Sequence, residues 1–248
     1  MKVTGDTHIG LVRSSNQDAL EFARLDEQTA FAVVCDGMGG ANGGNVASDI
    51  AVRVLAKRIR EAYADGQEVH SPEFLLASAM AAANVEIYDT AQTSPELDGM
   101  GTTVVAVILH RLTAYISHVG DSRVYLCRGG ELTPVTRDHS IVQDMIEKGQ
   151  ISEAEARIHP RRNFITRALG VQEDESGEYD ELTLQPGDRL LLCTDGLTNM
   201  VDTATAAAIV TQQPPNEAVA SLIQAALDGG GTDNVTAVIL ATDRAEKV

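Results

Sequence analysis

Tryptophan is absent, and other aromatic residues are scarce: four phenylalanines and five tyrosines in 248 residues. The core must therefore be filled by Val, Ile, Leu and Ala, which leave few flat faces for stacking bases or sugars. Long apolar runs are missing too. The longest, Val104 to Leu109, is far short of the roughly 20 residues that cross a bilayer, so no membrane insertion is expected. The opening MKVTGDTHIG lacks the apolar stretch of a secretory leader. Cysteine is limited to Cys35, Cys127 and Cys193, each ending an apolar run (FAVVC, VYLC, LLLC). An odd number with no close pair argues against a disulfide or zinc framework and for a reducing compartment, so a cytoplasmic protein is expected. Basic residues are outnumbered 19 to 36, a net charge of −17, which disfavours nucleic acid and anionic membranes as partners. That charge serves solubility, and bound cations would neutralise part of it.

What is present describes an ordinary globular chain, 44% hydrophobic and 22% charged. It shows no repeat, low-complexity tract or linker, so residues 1–248 read as one domain. Strand patterns fall in three zones. Ala30 to Cys35 is a short apolar run. Thr102–His110, Thr113–Val119, Arg123–Cys127 and Glu131–Val135 form a meander with short turns, among them Gly120-Asp121-Ser122. Arg189–Cys193 and Val235–Ala241 form the third. Helical patterns lie between: Asn45–Tyr63, with Val46, Ile50, Val54, Leu55 and Ile59 on one face; Glu73–Thr90; Ile141–Lys148; and one capped by Asn216 and stopped by Gly229. Ser152-x-x-Glu155 reads as a capping box. Short-connected strands with helices between the groups predict an α+β layered sandwich.

Three aspartates stand at strand tips: Asp36 and Asp195 each follow an apolar run and precede glycine, and Asp233 precedes Val235–Ala241. If those strands are antiparallel neighbours, the three carboxylates meet at one edge of the sheet. Carboxylates without nearby His or Cys suit Mg²⁺ or Mn²⁺, and glycine after the aspartate lets a carbonyl turn toward the same site. Taken singly, an Asp-Gly pair more often just makes a turn.

Six motifs occur in order: GLVRSSNQDA from Gly10, VVCDGMGG from Val33, GMGTT from Gly99, HVGDSRVY from His118, LLLCTDGL from Leu190 and GGTDNVTAV from Gly230. Together they closely resemble the metal-dependent type 2C protein phosphatases, bacterial branch, from about Gly5 to Leu240. The resemblance implies a four-layer α-β-β-α sandwich of two antiparallel sheets flanked by helices. It implies a serine/threonine phosphatase with two core Mn²⁺ or Mg²⁺ ions and a weaker third. Asp36 would bridge the two core ions and Gly37 bind through its carbonyl. Asp195 and Asp233 would hold the first ion, and Asp121 with Asp195 the third. Asp18 would orient metal-bound water, helped by Asn234, and Arg13 would grip the substrate phosphate. Such ions, about 3.5–4 Å apart, can hold a bridging hydroxide at neutral pH, and an arginine fork matches phosphate oxygens.

Two positions depart from the family. Gln17 stands where many members carry Glu, so it is not counted as a ligand. Met38 stands where animal members carry a proposed acid histidine, which leaves a histidine of the flap, His139 or His159, or a metal-bound water as proton donor. His8 and His118 read as packed or structural. The flap is expected at about residues 138–180, with an acidic patch of six carboxylates from Glu173 to Glu181 read as a solvated loop. Its Arg161, Arg162 and Arg167 would attract phosphopeptide or pair with those acids. The implied partners are phosphorylated proteins and a cognate serine/threonine kinase, the implied state a monomer. The alternatives are a phosphatase dedicated to one regulatory partner, of the anti-sigma antagonist type, and a catalytically silent binding module.

Overall fold

A computed structural model describes residues 1–40, 43–64 and 71–243. The strands are β1 (Lys2–His8), β2 (Asp18–Arg24), β3 (Thr29–Met38), β4 (Gly101–Thr102), β5 (Val104–His110), β6 (Thr113–Val119), β7 (Arg123–Arg128), β8 (Glu131–Pro134), β9 (Glu178–Thr183), β10 (Arg189–Cys193) and β11 (Val235–Ala241). The helices are α1 (Gly43–Tyr63), α2 (Pro72–Ala91), α3 (Ile141–Glu147), α4 (Glu153–Arg157), α5 (Asp195–Thr198), α6 (Thr203–Gln212) and α7 (Pro215–Asp228). One sheet runs β1-β11-β10-β7-β8 and the other β2-β3-β5-β6-β9, with β4 beside β3. Among the described residues the strands pair antiparallel throughout both sheets.

The layering follows from the period of two along each strand. In β3, Phe31, Val33 and Cys35 face α1 and α2, while Ala30, Ala32 and Val34 face the other sheet. In β11, Val235, Ala237 and Ile239 pack on α6 and α7, while Val238 and Leu240 meet the inner face of the sheet that holds β3. The result is helices, sheet, sheet, helices, as expected from the motifs. Among the described residues no helix is long and apolar enough to cross a membrane.

The meander is where the expectation and the structure part. Its first members, β5 and β6, lie in the six-stranded sheet, whereas β7 and β8 lie in the five-stranded one. The Gly120-Asp121-Ser122 turn is therefore a crossing between sheets and not a hairpin. The helix read as capped by Asn216 starts at Pro215 with Pro214 as its cap residue; proline suits a first turn, whose N–H groups lack helical partners. The Ser152 capping box is present with both hydrogen bonds. Part of the acidic patch is strand β9, an edge strand whose charges discourage further pairing, which hid it among loop-like residues.

The Asp-Gly pairs at 36 and 195 are not turns. Asp36-Gly37 continues β3, and Asp195-Gly196 opens α5. Glycine is needed for close approach. A Cβ on Gly37 would lie 2.1 Å from the Gly44 carbonyl oxygen, and one on Gly196 would lie 1.9 Å from the Asn234 oxygen. Gly196→Ala must push β11's leading residues away from α5. It is expected to cost about 1–3 kcal/mol, measured by urea unfolding; wild-type stability would show that the contact yields freely.

Candidate active site

The carboxylates reach one edge of the sandwich from both sheets. Asp36 sits in β3 directly opposite Asp18 of β2. Asp195 follows β10, Asp233 precedes β11, and Asp121 occupies the crossing between β6 and β7. The three tip aspartates thus meet across two sheets and not along one, because β3 faces β10 and β11 instead of pairing with them.

Their electrostatics are those of crowded anions. Burial pushes the Asp36 carboxyl well above its usual range, and Asp18, Asp195, Asp121 and Asp233 push it further. Asp121 is raised to about 8, first by burial and then by Asp195 and Asp138, against a pull from Arg123. Asp195 is raised by burial and by Asp233. Asp18 is raised to about 7 by burial, even though Thr236 and Thr194 hydrogen bonds lower it. Those hydroxyls donate to Asp18 Oδ2 at 2.6 and 2.9 Å, so a residue of one sheet is held by two of the other. The remaining oxygens, Oδ1 of Asp18 and Oδ1 of Asp195, are buried without a hydrogen-bond partner. Unpaired carboxylate oxygens in a desolvated cluster call for countercharge. An all-oxygen donor set of this kind fits hard divalent cations such as Mg²⁺ and Mn²⁺.

Arg13 supplies one cation: its Nη2 donates to Asp233 Oδ2 at 2.7 Å. It rides on the loop between β1 and β2, and Asn234 anchors that loop. Asn234 Nδ2 donates to the Ile9 and Ser15 carbonyls at 2.9 and 3.0 Å, and its Oδ1 accepts from the Gln17 N–H at 2.8 Å. Its side-chain atoms are thus committed to shaping the Arg13 loop. The Gln17 amide turns to the Gly40 carbonyl, and Gly37 donates its N–H to the Gln17 carbonyl at 3.0 Å.

Two features carried no assigned role at the motif level. Thr194 and Thr236 orient Asp18; they lie inside LLLCTDGL and GGTDNVTAV, where small hydroxyls beside aspartates were the available signal. Arg123 forms a bidentate pair with Asp138 at 2.7 and 2.6 Å, placing a guanidinium beside Asp121. Of the flap histidines, His139 is buried, 5% exposed, and its Nδ1 accepts the Gly120 N–H at 3.0 Å. It is a packed residue and does not overhang the site. His159 Nδ1 accepts from the Arg161 N–H at 3.1 Å. Arg167 pairs with Glu175 and Glu178, while Arg161 and Arg162 form no ion pair among the described residues.

A cleft of roughly 1050 Å³ opens from Asp121, Asp195 and Asp233 and runs out between α3 and the start of α6. That is far more room than a phosphate group needs, so the edge is accessible to a polypeptide.

The family model for protein phosphatase 2C matches residues 4–229. The serine/threonine phosphatase stp of Listeria monocytogenes is 36% identical over 97% of this chain and 96% of its own length. Stp1 from Staphylococcus aureus superposes with a TM-score of 0.91 at 33% identity, covering 98% of this chain and 95% of that one. The catalytic domain of the phosphatase PstP, solved in complex with two manganese ions, superposes with a TM-score of 0.86 at 34% identity, covering 98% of each chain.

The raised carboxyls make a pH prediction. Asp18 and Asp121, at about 7 and about 8 in the fold, titrate near 3.9 when unfolded. Between those values the folded state binds more protons, so stability falls as pH rises. The melting temperature of chelator-treated protein should drop from pH 5 to pH 8, and added Mn²⁺ should restore more at pH 8 than at pH 5. A metal-free melting temperature that climbs over that interval would contradict the crowding.

Proposed function

The chain belongs to the protein phosphatase 2C family and is a metal-dependent serine/threonine protein phosphatase, and we propose that the carboxylate edge at Asp36, Asp195 and Asp233 is its catalytic centre. The observation that carries this reading is the gathering of desolvated aspartates with orphaned oxygens at the mouth of a peptide-sized cleft.

Asp36, the Gly37 carbonyl, Asp195 and Asp233 would hold two core ions, Mn²⁺ or Mg²⁺, and Asp121 with Asp195 a weaker third. Such ions supply a nucleophile derived from water at neutral pH and screen the charge of the phosphate. Asp18, locked by Thr194 and Thr236, presents its free Oδ1 to the centre and orders water there. Arg13 is half exposed and tethered to Asp233 by one contact, so it can swing to the phosphate, where its fork binds two oxygens. Asn234 holds the loop that aims it. Of the candidate donors, His139 is packed away and Met38 has no proton to give. The leaving serine or threonine oxygen then takes its proton from water. The flap over the cleft, expected at about residues 138–180, is in this reading the segment between β8 and β9, with its last residues from Glu178 taken into β9. Substrates are phosphorylated proteins, and a serine/threonine kinase of the same cell is the partner opposed.

Asp36→Asn or Asp233→Asn should cut phosphate release from a phosphothreonine peptide at least about 100-fold, since each removes charge that holds the ions, while urea unfolding stays cooperative. Near-normal turnover in either purified variant would refute the assignment. Arg13→Ala should cost about 1.5–3 kcal/mol in kcat/KM on phosphopeptide and on p-nitrophenyl phosphate alike. Arg13→Lys should recover only part, because an ammonium lacks the fork; unchanged kinetics in the alanine variant would make Arg13 a structural residue.

A further inference from the structure

His118, His139 and Glu178 bring possible donor atoms within 4.8 Å of one another, a set that on residue type alone would suit a transition ion. The hydrogen bonds assign it otherwise. The Gly120 N–H can only donate, so His139 Nδ1 accepts and the ring proton lies on Nε2. Arg167 Nη1 also lies 3.2 Å from Nε2, but a neutral ring carries one proton and cannot accept at both nitrogens. With Nδ1 engaged by the shorter backbone bond, the Nε2–H faces Glu178 Oε1 at 3.1 Å and has no lone pair for a metal. The Arg167 guanidinium already donates to the same carboxylate oxygen at 2.9 Å. Burial, His118 and Arg167 keep the His139 imidazole neutral by lowering its pKa, which preserves this tautomer.

We propose that His139 is a positioning residue that clamps the Gly120-Asp121 turn and thereby sets Asp121 for the weaker ion. The inference rests on the reading of Asp121 as a ligand of that ion. His139 grips the turn twice: its own N–H donates to the Gly120 carbonyl at 2.9 Å, and its ring accepts the Gly120 N–H. The turn has little freedom on its other side. Gly120 has φ near +101°, and Thr103 would sit 2.5 Å from any Cβ placed there. Ser122, after Asp121, shares a 2.7 Å hydrogen bond with the Thr103 hydroxyl. Asp121 is thus strung between two fixed points, one made by Thr103 and one by His139.

The clamp is itself braced. The His139 ring stacks on His118 at 4.8 Å with 19° between planes, and His118 is pinned by donating Nε2–H to the Arg137 carbonyl at 2.8 Å. The His139 carbonyl accepts the Thr166 N–H at 2.8 Å. Glu178, which receives the Nε2–H, begins β9. His139 therefore ties the crossing turn to the near end, the middle and the far end of the segment between β8 and β9. A change in that segment's position is transmitted to the residue beside Asp121.

Two conservative variants separate the links. Asparagine places an acceptor oxygen where Nδ1 stands but cannot reach Glu178. Glutamine reaches Glu178 but offers Gly120 no acceptor. Mn²⁺ binding to the full chain, followed by isothermal calorimetry, should show tight binding at the core unchanged in all His139 variants. The weaker binding should vanish in Asp121→Ala, fall about 10-fold or more in His139→Ala and His139→Gln, and return to near wild type in His139→Asn. Asp121→Ala/His139→Ala should match Asp121→Ala. Wild-type weak binding in His139→Ala, asparagine no better than glutamine, or a further loss of core binding in the double variant would overturn the inference. If His139→Ala does not fold, the asparagine and glutamine pair decides alone. Weak binding that survives in Asp121→Ala would instead remove the ligand reading of Asp121 and leave the clamp without its stated role.

Discussion

Carboxylates that share a desolvated edge repel one another, and most of this molecule's architecture is arranged to hold them there regardless. The stabilising side is the sandwich. Two sheets interlock through Ala30, Ala32, Val34, Leu190, Leu192, Val238 and Leu240, and each is backed by helices. Apolar burial of that extent offsets a local electrostatic cost of a few kcal/mol. The cost is confined to one edge, where strand ends and crossings allow side chains to leave the packed interior. In the proposed reading, cations would then meet a site that folding has already formed.

Glycine enters this economy of space in a specific way. The Asp-Gly pairs at 36 and 195 are places where backbone runs against backbone: β3 against the start of α1, and α5 against the residue before β11. Both approaches draw strand ends inward, and both aspartates follow. An aspartate before a glycine is therefore informative here for a reason unlike the turn chemistry that makes the pair common elsewhere.

Much of this could be read in the chain. The periodic runs located β3, β5, β6, β7, β10 and β11 and the long helices, because strongly apolar faces leave a clear period. The edge strands β1, β2 and β9 were not visible, since a half-exposed edge mixes charge with apolar residues. That Asp36, Asp195 and Asp233 gather at one edge was legible from their places at strand tips. Their assembly across facing sheets was not, because nothing local distinguishes a hairpin at Gly120-Asp121-Ser122 from a crossing between sheets. The same blindness hid the role of Asn234 and Thr236: each acts on residues more than two hundred positions away.

The crossing at Gly120 also explains why the centre is asymmetric. Asp36, Asp195 and Asp233 grow directly from strands or their immediate ends, so the two sheets fix them as rigidly as the core is packed. Asp121 has no such support. It sits on a span that leaves one sheet before joining the other, and its placement is borrowed from Thr103 on one side and His139 on the other. A ligand held by a span adapts more readily than one held by a strand, and the partner at its back is the root of a long surface segment. Under the proposed ion roles, strength of binding and responsiveness to that segment would be two consequences of one choice of topology. The strand-borne carboxylates give a permanent centre, and the span-borne one gives a position that the rest of the surface can adjust.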